Sequence, residues 1–153
     1  MTVSFSKDFE ELFAYLNARG VKALIVGGHA LAFHAKPRFT KDIDILVEPS
    51  QTNAAALLLA LADFGFSSLE LGVEDFSTPG NIVQLGFPPN RVDLLTAISG
   101  VDFATAWRSR VAGKFGSQDV FYIGKAELIA NKTAAARPQD LVDVKTLADS
   151  EDT

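Results

Sequence analysis

Cysteine is absent from this chain of 153 residues, which excludes disulfides, thiolate zinc sites and cysteine nucleophiles together. Long apolar runs are missing too. No stretch approaches the roughly 18 consecutive apolar residues of a membrane-spanning helix. The opening MTVSFSKDFEELF carries no basic segment followed by an apolar one, as a secretory leader would. A cytoplasmic protein with no membrane partner is the expectation. An excess of positive charge is also lacking: the net charge is −5, which opposes non-specific attraction to nucleic acid, because that attraction comes from counterion release at a basic surface. Repeats, linkers and low-complexity tracts are not found, and no interleaving of aromatic and basic residues suggests a platform for single strands.

What is present is apolar and compact in character. Hydrophobic residues make up 48% of the chain, twelve of them Phe, against 22% charged, which is too apolar for a disordered chain. The length fits one domain over residues 1–153, since domains most often hold about 100 to 150 residues.

The pattern along the chain is read from periodicity and punctuation. Phe9, Leu12, Phe13 and Leu16 follow helical spacing, with Ser6 as N-cap and Gly20 as the stop. The run VKALIVGG predicts a buried strand leaving through a tight turn, with a short helix beginning at His29 and ended before Pro37. IDILV predicts a strand with Asp42 and Asp44 on one face and Ile43, Ile45 and Val47 on the other. Ser50 and Gly65 bracket an apolar helix as N-cap and left-handed stop. The stretch from Phe66 to Gly80 shows no sustained period, although FSSLEL has strand character. NIVQLGF and RVDLLT, separated by Pro88, Pro89 and Asn90, predict an antiparallel hairpin with Asp93 in its second strand. A short helix from Asp102 to Arg108 follows, then a hairpin-like pair, Val111 to Phe115 and Val120 to Ile123, around Gly116 and Ser117. KAELIANKTAAA and QDLVDVKTLAD predict two last helices interrupted at Arg137-Pro138, the second with Leu141, Val144 and Leu147 on one side.

Chemistry concentrates where a glycine pair precedes an Asp-x-Asp strand. Gly27 and Gly28 permit positive φ and close backbone approach, and the N–H groups of a helix starting just after them form an anion site suited to a triphosphate. Two carboxylates on one strand face repel each other, and their burial without a cation is costly. Oxygen-only ligands suit Mg²⁺, which is usually held by one or two carboxylates plus substrate phosphates. Asp93, on a neighbouring strand, would be the third carboxylate of a two-ion site for in-line phosphoryl displacement.

Each element has a plainer reading. Glycine pairs mostly mark ordinary turns, and an Asp on a strand is often solvent-facing; the combination of Gly27-Gly28, Asp42-x-Asp44 and Asp93 carries the functional reading. Arg38 and Lys41 are equally read as solvated loop charges or as phosphate contacts, and Lys36 is read as a solvated loop charge. Lys132, Arg137, Asp140 and Asp143 have the spacing of ordinary helix-surface pairs. His29 and His34 lie five apart, which does not make an i, i+4 metal pair, and both are read as structural.

GGHALAFHAKPRFTKDIDILV followed by RVDLL resembles the nucleotidyltransferase superfamily of DNA polymerase beta-like proteins: Gly-Gly or Gly-Ser, a spacer, Asp-x-Asp, then a later strand Asp. The chain looks nearest to bacterial abortive-infection and toxin–antitoxin nucleotidyltransferases, through Arg38, Thr40, Asp42 and Asp44 and through NKTAAARPQDLVDV, over Leu24 to Leu147. The resemblance implies an α/β (α+β) fold, a mixed β-sheet flanked by helices. It implies Mg²⁺ on Asp42 and Asp44, with Asp93 completing the metal site or acting as general base. Gly27, Gly28, Arg38, Thr40 and Lys132 would bind the NTP, with Arg137 and Asp140 organising the late helix. The activity implied is transfer of a nucleoside monophosphate from an NTP to a hydroxyl of RNA, such as tRNA, or of a protein. The chain stops soon after the last helix, so no separate acceptor-binding domain is expected. The alternative is an antitoxin-like module, by resemblance to minimal members that neutralise HEPN-type RNases, or a nucleotide-binding domain with little or no turnover.

Overall fold

The computed structural model describes residues 5–35, 42–66, 70–86 and 91–150. Helix α1 (Phe5–Ala18) lays Phe9, Leu12, Phe13 and Leu16 into the core as their spacing predicts. It begins one residue before Ser6, so Ser6 lies inside the first turn and is not its cap. Strand β1 (Ala23–Val26) runs directly into α2 (Gly27–His34). That helix starts two residues earlier than expected, because Gly27 at φ +66° makes the turn itself. Strand β2 (Ile43–Val47) carries Asp44, while Asp42 sits at the bend just before it.

Helix α3 (Gln51–Phe64) is bracketed as its punctuation requires: the Ser50 side chain accepts a hydrogen bond from the Asn53 N–H, and Gly65 takes the left-handed conformation at φ 115°. Asn53 also ties two strands to this helix. Its buried amide accepts from the Lys22 N–H at 2.8 Å and donates to the Lys22 and Glu48 carbonyls at 3.1 Å each, satisfying backbone groups at the start of β1 and beyond the end of β2. The ambiguous stretch forms a short helix, α4 (Val73–Ser77), which buries Phe76; strand-like FSSLEL falls partly on residues 67–69, outside the described residues.

Strands β3 (Ile82–Leu85) and β4 (Val92–Leu95) pair antiparallel as predicted; the Pro88-Pro89-Asn90 connection lies outside the described residues. Helix α5 (Phe103–Arg108) is capped by the Asp102 carboxylate. The second hairpin, β5 (Val111–Phe115) and β6 (Gln118–Tyr122), closes through Gly116 and Ser117, so β6 starts two residues before Val120. Helices α6 (Lys125–Ala135) and α7 (Pro138–Asp149) complete the chain. Pro138 stands at the first position of α7, where its missing N–H costs nothing.

The six strands form one mixed sheet in the order β3-β4-β2-β1-β6-β5. β2 lies antiparallel to β1 and parallel to β4. Val26 is thereby opposite Asp44, and Asp44 is opposite Asp93, so the end of β1 and the starts of β2 and β4 meet at one end of the sheet. Ile43, Ile45 and Val47 are buried, as the alternation of β2 requires. The inward face of α7 differs from expectation. Leu141 is 53% exposed, while Asp140, Asp143 and Leu147 are buried, because the i, i+3, i+7 row turned towards the protein carries two aspartates. Among the described residues no helix is long and apolar enough to cross a membrane.

Candidate active site

A cleft of about 1110 Å³ opens at the sheet end where β1, β2 and β4 meet. Gly27 and Gly28, Asp42 and Asp44, Arg91 and Asp93 line it from the sheet side. Lys132, Arg137, Asp140 and Asp143 line it from α6 and α7. Ile82, Leu95 and Ile98 supply an apolar portion.

The pairing of Asp44 with Asp93 follows directly from the parallel β2–β4 register. Laterally paired residues point to the same face of a sheet, about 4.8 Å apart along the hydrogen-bonding direction. The two side chains come within hydrogen-bond reach of each other. Burial first, then the negative charges of Asp93 and Asp42, pushes the Asp44 carboxyl up to about 6, with Arg91 opposing the rise through its positive charge. Gly27 completes this corner: a Cβ there would overlap Asp44 Oδ2. The glycine therefore lets the backbone at the start of α2 touch the carboxylate, and its positive φ is the means.

Arg91 is the residue that sequence reasoning missed. Its Nη2 donates to Asp42 Oδ2 at 2.8 Å and its Nε donates to Asp93 Oδ1 at 3.1 Å, with Nη2 also 3.5 Å from Asp93 Oδ2. The signal was present in RVDLL, where Arg91 stands two residues before Asp93 and so shares its strand face. Among the described residues no three acidic or imidazole side chains stand ready as a metal cage, and Asp42 and Asp93 direct oxygens to Arg91 instead. The donor set nevertheless fits a hard divalent cation: carboxylate oxygens alone, on adjacent strands, with more negative charge than one arginine balances.

Lys132 lines the cleft and is held there by carboxylates of α7. It is buried, and its Nζ donates to Asp143 Oδ2 at 3.0 Å and lies 3.5 Å from Asp140 Oδ1. Arg137 donates from Nε to Asp140 Oδ2 at 2.6 Å and from Nη2 to Asp140 Oδ1 at 3.2 Å. This guanidinium, ahead of the opposing effect of burial, holds the Asp140 carboxyl below the usual range. The Asp140 carboxylate also accepts the Arg137 backbone N–H, capping α7. Gln139 donates to Asp143 Oδ1 at 2.9 Å. The Arg137 side chain itself is 76% exposed at the cleft rim and feels the charge of Asp44.

Arg38 and Thr40, with Lys36 and Lys41, lie outside the described residues. His29 packs its ring against Phe9 and Phe115, at centroid distances of 6.1 and 5.7 Å, and His34 Nε2 is 2.6 Å from the Ile123 carbonyl oxygen. Both contacts agree with structural roles.

The sequence model of a family described as "Nucleotidyl transferase of unknown function (DUF2204)" matches residues 5–151. Among solved structures, the chain is similar to an antigenic nucleotidyltransferase-like protein from Paracoccidioides brasiliensis, at 17% identity and a TM-score of 0.56. The match covers 94% of this chain and 74% of that one, and at this identity it is a likeness of fold. No curated protein matches the sequence.

Proposed function

The chain belongs to the family of nucleotidyl transferases of unknown function, and from that premise we propose that it transfers a nucleoside monophosphate from an NTP to a hydroxyl group of RNA, such as tRNA, or of a protein, with Mg²⁺ as the metal. The observation that carries this reading is the lateral pairing of Asp44 with Asp93 against the Gly27 turn, inside a cleft of about 1110 Å³. Two neighbouring carboxylates partly removed from water are costly unless a ligand draws on their charge.

In the reaction, the acceptor oxygen forms a bond to the α-phosphorus while the bond from that phosphorus to the bridging oxygen breaks, and pyrophosphate leaves. Asp42, Asp44 and Asp93 would hold Mg²⁺, which supplies charge neutralisation at the triphosphate and the leaving group. The chain's own contributions are three. The first N–H groups of α2, at Gly27 and Gly28, offer donors to phosphate oxygens. Asp93 accepts the proton lost by the attacking hydroxyl. Arg137, bound to Asp140 at the start of α7, presents an exposed guanidinium at the rim.

Incubation with labelled NTPs, Mg²⁺, total tRNA and candidate proteins tests this directly. We expect label transfer that falls about a hundred- to a thousandfold in Asp44→Ala, a loss typical of removing a major transition-state contributor. Equal labelling by wild type and variant would refute the assignment.

The occupation of Asp42 and Asp93 by Arg91 favours one second reading, an antitoxin-like or nucleotide-binding module with little turnover. The signature of the nucleotide-binding module is a rise in melting temperature with NTP and Mg²⁺ without any labelled product, and that of the antitoxin-like module is co-purification with a partner protein, unaffected by Asp42→Ala.

A further inference from the structure

Arg91 belongs to neither the glycine turn nor the carboxylate set, yet it occupies the centre of the site. Three of its contacts use carboxylate oxygens: Asp42 Oδ2 at 2.8 Å, Asp93 Oδ1 at 3.1 Å and Asp93 Oδ2 at 3.5 Å. Both oxygens of Asp93 are therefore engaged by one guanidinium, which also crosses to Asp42 at the start of another strand. Asp44, between them, receives the effect of Arg91 through space.

We infer that Arg91 is a resident counter-ion of the carboxylate group, one that a divalent cation must displace from Asp42 and Asp93 and that then turns to the phosphates of the incoming nucleotide. The inference rests on the nucleotidyl-transfer reading given above. Arg91 serves a site with an excess of negative charge: among the described residues it bonds to Asp42 and Asp93 and acts on the third carboxylate, Asp44, only through space. Without it, the like charges would repel across two adjacent strands. With it, one oxygen of Asp42 and both oxygens of Asp93 are already engaged.

Displacement is feasible on structural grounds. The Arg91 side chain is 31% exposed and lines the cleft, so it is not locked into the core. A guanidinium also pairs with phosphate oxygens through the same planar fork it uses for carboxylates. Cation and triphosphate would then each help the other to bind: the metal frees Arg91, and the phosphates receive it. Such coupling is reciprocal by thermodynamic necessity. The rival role for Arg91 is that of a permanent clamp which orients Asp42 and Asp93 for the metal. That role predicts the opposite sign for the metal affinity of a neutral variant.

The test is Mn²⁺ binding, followed by electron paramagnetic resonance, to wild type, Arg91→Gln, Arg91→Lys and Asp44→Asn, with and without an α,β-methylene NTP analogue. For Arg91→Gln we expect Mn²⁺ alone to bind about tenfold more tightly than to wild type, and the additional tightening caused by the analogue to shrink by a similar factor. Arg91→Lys, which keeps the charge but loses the fork, should show a smaller change in the same direction, and it decides the matter if melting curves show that Arg91→Gln does not fold. Unchanged or weaker Mn²⁺ binding by the Arg91 variants overturns the counter-ion role. If wild-type binding is lost in Asp44→Asn while the Arg91 variants bind no more tightly, only this inference fails. If no protein binds Mn²⁺ with or without the analogue, the nucleotidyl-transfer reading fails with it.

Discussion

Two groups of charged side chains line the same cleft, and they are built on opposite principles. On α6 and α7, among the described residues, Lys132 and Arg137 face Asp140 and Asp143, two cations against two carboxylates, with Gln139 and the Arg137 backbone N–H adding donors. At the starts of β2 and β4, among the described residues, Arg91 faces Asp42, Asp44 and Asp93, one cation against three carboxylates. Burial is deeper in the first group, apart from Arg137 at the rim: Lys132, Asp140 and Asp143 are 5%, 2% and 2% exposed. The balanced group can be buried because its charges answer one another, as buried ion pairs must. The unbalanced group stays at the cleft wall, where a ligand can reach it. Equal chemistry in the two sets of aspartates thus has two outcomes, closure of a helix pair in one and uncompensated negative charge at the cleft wall in the other.

The largest effect expected from this contrast is at Lys132. Lys132→Met leaves Asp140 and Asp143 buried with their shared ammonium removed, and should cost about 3–5 kcal/mol of stability by urea unfolding. A variant that keeps its stability and instead loses NTP binding would break the contrast, because Lys132 would then serve the triphosphate.

Next in size is Asp44→Asn, which should act with the opposite sign. The Asp44 carboxyl rises to about 6 from 3.8, so the folded chain holds this proton more tightly than the unfolded one. Its contribution to stability is complete below about pH 4 and is lost as the pH climbs through 6. Asparagine removes that loss, and at pH 8 the variant should be more stable by up to about 3 kcal/mol while losing transfer activity. Melting temperatures from pH 4 to pH 8 measure this; a variant that follows the wild-type pH profile would show that Asp44 carries no such strain.

A smaller effect sharpens the geometry of the unbalanced group. Gly27→Ala places a methyl group on Asp44 and forces a left-handed conformation on alanine, for a cost of about 2 kcal/mol. It should also remove any rise in melting temperature that NTP and Mg²⁺ cause in the wild type. Retention of that rise would separate the glycine turn from the nucleotide.

Much of the architecture was legible in the sequence because its signals are local. Ser50 and Gly65 bracket α3 through their own capping geometry, Asp102 caps α5, and Pro138 marks the start of α7. Gly27, Asp44 and Asp93 were legible as a set because glycine permits a turn and aspartate is a poor strand residue. The errors lie where distant partners decide. Leu141 has helical spacing with Val144 and Leu147, yet α7 turns Asp140 and Asp143 inward because Lys132 on α6 receives them. Helix α2 begins at Gly27 because the backbone must pass against Asp44 of the neighbouring strand.

By itself, the sequence determined the order and type of most elements and the identities of the acids that concentrate at one end of the sheet, since periodicity, caps and glycine turns act within a few residues. Tertiary structure alone decided that Asp44 stands beside Asp93, that Arg91 spans Asp42 and Asp93, and that Lys132 turns to α7. Those outcomes depend on strand register and on helix placement, and an ion pair forms only between charges that the fold has brought within a few ångströms.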